Sequence, residues 1–114
     1  SVVFDRQMQL VLTYIIGAKS FIYFWSALDE RYVEQELEGE YIKATLVSHN
    51  PLHADFSQVV VGYVKNQKEL CIRLQQDRYS KEYLVKKFEH KIKLYSISYT
   101  DKNRFQYELM EAVG

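Results

Sequence analysis

Four valines within seven residues set the strictest condition on this chain. Val59, Val60, Val61 and Val64 occupy both parities of Gln58–Val64, so a strand there is apolar on both faces. Such a strand needs cover above and below, which predicts a central position in its sheet. Its neighbours alternate instead. Ile42, Ala44 and Leu46 share one face of Tyr41–Ser48, and Leu70, Ile72 and Leu74 share one face of Glu69–Gln75. The polar Lys65-Asn66-Gln67-Lys68 between the last two strands reads as a hairpin connection. Ile92–Tyr99 is a further strand. Met8–Ile16 fits period two through Leu10, Leu12, Tyr14 and Ile16, and a helix through Met8, Val11, Leu12 and Ile15. Its Val, Thr, Tyr and Ile content favours the strand.

Three segments read as helices. Phe21, Phe24, Trp25, Leu28 and Tyr32 make one apolar stripe over 20–38, with Ser20 as N-cap and Gly39 as stop. That stripe predicts a largely buried Trp25. Leu84, Val85 and Phe88 face a core over 80–90. Phe105, Leu109 and Val113 at i, i+4 and i+8 predict a helix over 103–113, opened by Asn103 and Gln106 as in a capping box. The order is β?–α–β–β–β–α–β–α, which predicts an α+β fold: a mainly antiparallel sheet of four or five strands with three helices. With 114 residues, 47% of them hydrophobic, the chain fits one compact domain over 1–114. It opens on Ser rather than Met, as a piece excised from a longer chain would.

Charge and cysteine content narrow the function classes. Formal net charge is zero, which removes any global attraction to nucleic acid or acidic membranes. A single cysteine forms no internal disulfide, so an intracellular, cytoplasmic location is expected. No apolar run reaches the ~18–20 residues of a membrane span, and the apolar N-terminal segment lacks a signal peptide's basic start. Gly17-Ala18-Lys19-Ser20 ends like a phosphate loop but lacks the earlier glycine. Cys71 has no histidine nearby, and no GxSxG, HExxH, paired CxxC or EF-hand pattern occurs. A non-enzymatic domain without a cofactor is therefore expected.

The most chemical-looking stretch is His49-Asn50-Pro51-Leu52-His53-Ala54-Asp55. His49, His53 and Asp55 are weak metal-ligand candidates, because Pro51 makes the stretch a loop and a fourth ligand is not evident. A metal-dependent hydrolase built on this loop is the third reading. Asp55 with Glu89, His90 and Lys91 can be forced into a nuclease-like set, but Glu89 falls on a predicted helix.

From Ser20 to about His90 the order α–β–β–β–α is similar to that of double-stranded-RNA-binding domains. Asn50-Pro51-Leu52-His53, then Phe56, resembles the family's loop, and Ser80-Lys81 resembles the start of its lysine signature. Glu82 and Val85 stand where the family carries further lysines. The resemblance implies RNA binding through the second helix, and it makes nucleic acid the second reading.

Charge segregation favours a protein partner. Residues 1–57 carry a net −4 and residues 58–114 a net +4. The acidic part centres on Glu34 and Glu38, and the basic part on Lys81, Lys86, Lys87 and Lys91. Tyr79, Tyr83, Tyr95 and Tyr99 lie in or beside the basic part, and tyrosine is enriched at interfaces. The leading expectation is an interaction domain that binds another protein or its own copy, through these ten residues, and no membrane.

Overall fold

The valine-rich segment is an inner strand in the computed structural model, which describes residues 1–5, 7–47, 58–99 and 105–112. Among the described residues ten strands build the fold: β1 (Val2–Phe4), β2 (Leu10–Ile16), β3 (Lys19–Ser26), β4 (Arg31–Leu37), β5 (Glu40–Val47), β6 (Gln58–Lys65), β7 (Glu69–Leu74), β8 (Tyr83–Lys87), β9 (Lys91–Tyr99) and β10 (Phe105–Ala112). A 3-10 turn covers Gln75–Asp77. The strands pair antiparallel in three sheets, ordered β1-β2-β3-β4, β5-β6-β7-β8 and β10-β9. The expected α+β fold with three helices is thus overturned, and the chain is almost entirely β.

The second sheet is the middle layer. Val59, Val61, Tyr63 and Cys71 face the first sheet and pack with Val11, Ile22, Phe24 and Leu37. Val64 and Leu70 face the other way and pack with Ile92, Leu94 and Ile97 of the β9–β10 hairpin. This is why β6 is apolar on both faces. A Cβ at Gly62 would lie 3.2 Å from the Ile97 side chain, so the missing side chain lets β9 settle onto β6. Asp5 stitches the first two layers together. Its Oδ1 accepts the N–H groups of Gln7 (2.9 Å) and Gln9 (2.8 Å), and its Oδ2 accepts Gln75 Nε2 (3.1 Å). Gln75 Oε1 in turn accepts the Val59 N–H at 2.9 Å.

Each predicted helix is replaced by strands for an identifiable reason. Over 20–26 the buried residues are Ser20, Ile22, Phe24 and Ser26, a period of two, and the chain reverses through 27–30. There Ser26 Oγ donates to Asp29 Oδ2 (2.9 Å), and Glu30 takes a left-handed φ of 52°. Trp25 is accordingly half-exposed rather than buried. Gly39 is no helix stop; a Cβ there would overlap the ring of Tyr63. Residues 80–90 run extended into β8, so the dsRNA-binding order fails with both of its helices. In β10, Phe105, Tyr107 and Leu109 turn towards the hairpin's core. Positions i, i+4 and i+8 share strand parity, so the spacing that suggested a helix fits this strand equally.

Candidate interaction surface

Strand parity assembles an aromatic surface on the outer side of the first sheet. Cross-strand partners there are Leu12 with Tyr23, Tyr14 with Phe21, Tyr23 with Glu34, Phe21 with Glu36 and Trp25 with Tyr32. Tyr14 stacks on Phe21 (centroids 5.5 Å, 18°), Tyr23 on Tyr32 (5.0 Å, 8°), and Trp25 meets Tyr32 edge-on at 5.3 Å. Val2 (59% exposed), Phe4 (51%) and Ile16 (62%) extend the same face. From strand spacing and rise its footprint measures roughly 19 by 23 Å, and its rings are half-buried against one another. No described element covers it. An apolar face of this size is often functional.

Carboxylates border this face on one side. Glu34 and Glu36 project from β4, the edge strand of the first sheet. The Tyr14 hydroxyl donates to Glu34 Oε2; that bond, then partial burial, pushes the tyrosine up to about 12. Lys19 Nζ stands 3.9 Å from Glu36, with both side chains exposed. On the inner side of β4 a groove of about 380 Å³ opens towards the second sheet. Phe24 and Val33 line it together with Asp29, Gln35 and Asp77. Glu38 is exposed in the connection that follows β4.

The basic residues lie elsewhere. Lys86 and Lys87 stand on β8, opposite Leu70 and Glu69, with Lys81 just before the strand. Leu84 lies opposite Cys71, so Val85 has no opposite residue and forms a β-bulge. All five residues of β8 are exposed. Lys91 opens β9 and is exposed as well. The segment leading into β8 is pinned by Glu82. Glu82 Oε1 accepts the Tyr63 hydroxyl at 2.6 Å, and Oε2 accepts Lys65 Nζ at 3.0 Å. Arg73 Nε donates to the Tyr63 hydroxyl, and its NH1 to the Tyr79 carbonyl, both at 2.8 Å. Burial opposes ionisation of Glu82, but the bonds from Tyr63 and Lys65 outweigh it and hold the carboxyl below its usual range.

The four predicted tyrosines separate. Tyr79 is buried at 1% exposure, edge-on to Phe24 at 4.8 Å, and its hydroxyl has no hydrogen-bond partner among the described residues. It belongs to the core, and burial pushes its pKa up. Tyr83 is exposed and donates to Asp77 Oδ2 at 2.8 Å. Tyr95 is the extra residue of a bulge in β9, because Ser96 opposes Glu108 while Leu94 opposes Leu109. Tyr99 ends β9, and its side chain lies outside the described residues, as do His49, His53 and Asp55. Among the described residues no group of three His, Cys, Asp or Glu is placed to hold a metal ion, and no helix is long and apolar enough to cross a membrane.

The sequence reading thus missed this aromatic face. Phe21 and Trp25 share a helix face that leaves Tyr23 out, whereas all three share one face of a strand, and the β-forming run from Phe21 to Trp25 was the available signal. Comparison with protein-family models, curated proteins and solved structures yields no match, so the functional reading rests on this geometry.

Proposed function

We propose that this chain is a non-enzymatic protein-interaction domain that associates with a second copy through the outer face of β1–β4. The observation that carries the reading is the bare aromatic face, beside a second sheet packed on both sides. The rings are already stacked on one another, so closing a second face over them immobilises few new rotamers. A two-fold axis along the strands lays β4 over the partner's β1, which sets Tyr32 at the level of Phe4 and Glu34 at the level of Val2, and keeps Glu34 and Glu36 away from their own copies. Charge then fixes orientation, and aromatic burial supplies most of the affinity. A nucleic-acid reading draws less support, because the lysines stand on the other sheet and the ring faces are occupied by each other.

Sedimentation between 1 and about 100 µM, at low and high salt, tests this reading against the Tyr23→Ser/Trp25→Ser double variant. The expected result is a dimer that the double substitution dissolves, with Trp25 emission shifting to the blue as the dimer forms. A monomer throughout that range overturns the reading.

A further inference from the structure

We propose that the free edge of β4 is a strand-addition site, which takes an extended partner segment with basic residues pointing outward and apolar residues inward. The first ground is the backbone. Arg31–Leu37 pairs with β3 in unbroken register from Ser26↔Arg31 to Ser20↔Leu37. On the opposite side, none of its main-chain groups is hydrogen-bonded among the described residues. A regular edge of this kind is a template for another strand, and main-chain bonds give such a complex its affinity.

The second ground is what the two faces of β4 offer the incoming strand. An added strand lies ~4.8 Å away, and its side chains come within about 5 Å of those directly opposite. On the outer face they meet Glu34 and Glu36, whose present partners are the Tyr14 hydroxyl and an exposed Lys19 at 3.9 Å. Lysine or arginine there completes cross-strand ion pairs. On the inner face the intervening residues enter the groove, whose apolar part is Phe24 and Val33 within a polar rim of Asp29, Gln35, Asp77 and Arg78, so a short aliphatic side chain opposite Val33 reaches the apolar part. The preferred ligand is therefore amphipathic with period two. This site shares Glu34 and Glu36 with the border of the aromatic dimer face, but its main-chain edge and inner groove do not depend on the dimer.

The probe is an end-blocked eight-residue peptide alternating lysine and valine, with two controls: the same peptide N-methylated throughout, and one with all lysines at one end. Titration uses the full chain and the Tyr23→Ser/Trp25→Ser variant, which keeps the edge while removing the proposed dimer contact. The expected result is binding at or below about 100 µM in 50 mM salt, with new amide-exchange protection confined to 31–37. The N-methylated peptide should not bind, and Glu34→Lys/Glu36→Lys should weaken binding at least tenfold, with circular dichroism unchanged. Equal binding of the N-methylated or segregated peptide would reduce the effect to charge attraction and overturn the proposal. Protection at 83–87 instead, or no binding to either protein, would also overturn it. The dimer reading stands or falls separately, on the Tyr23→Ser/Trp25→Ser sedimentation result.

Discussion

β4 and β8 are both edge strands, yet they meet solvent in opposite ways. β8 is short, bulged at Val85 and studded with Lys86 and Lys87, the devices by which sheet edges repel further pairing. β4 is longer, regular and free of lysine, and it reaches the core through Val33 and Leu37. The contrast changes the meaning of the basic cluster. Its lysines need no ligand to account for them, because guarding an edge is sufficient work. The acidic strand has no such excuse, and its open edge adjoins the aromatic face that no described element covers.

The largest test of this contrast is a truncation on each side. Phe24→Ala, beneath β4, should cost about 3–5 kcal/mol, while Leu84→Ala, 59% exposed on β8, should stay within about 0.5 kcal/mol. Urea unfolding measures both. Comparable losses would mean that β8 is packed after all. A smaller effect concerns how β8 is held. Glu82→Gln should cost about 1 kcal/mol at neutral pH, since the amide keeps the contacts but loses the charge. Because the folded carboxyl titrates below its usual value, its contribution is full above the ordinary carboxylate range, near pH 4.3. It fades as pH falls through the lowered folded value. The stability gap between wild type and variant should therefore close in acid, and a gap that widens there would refute the assignment. The smallest effect on stability comes from disarming the guard. Lys86→Thr/Lys87→Thr should change stability by less than about 0.5 kcal/mol, yet make the protein aggregate with concentration by light scattering. Unchanged solubility would show that the bulge alone closes the edge.

Much of the strand content was legible, and what hid the rest was local. β2, β5, β6, β7 and β9 follow from alternation or from the valine run. The β3–β4 hairpin escaped because Ala27-Leu28-Asp29-Glu30 contains no Gly, Pro or Asn to punctuate it. The turn is held instead by the Ser26–Asp29 bond and the left-handed Glu30, neither of which has a strong sequence signature. Leu28, counted into the helical stripe, sits exposed at its tip. The charge segregation was legible too, and it lands on β4 on one side and around β8 on the other. Tyr79 was not. Arg78 and Tyr79 are both left-handed, at φ 55° and 58°, and that reversal carries the tyrosine under Phe24. A pattern-based reading has no means to see two consecutive non-glycine residues in that region.

In all three sheets each strand pairs with its neighbour in sequence, and this has a consequence in time. The connections span two to ten residues, so the entropy of each pairing step stays modest and no strand waits for a distant partner. Emerging from its N-terminus, the chain can zip the first sheet as soon as Leu37 is made. The inner face of that sheet, with Val11, Ile22 and Phe24, then stays bare until β5 to β7 arrive to cover it. The middle sheet is sealed last, when β9 and β10 fold back over Val64 and Leu70. Synthesis thus runs layer by layer, and each newborn face has only the next length of chain to wait for.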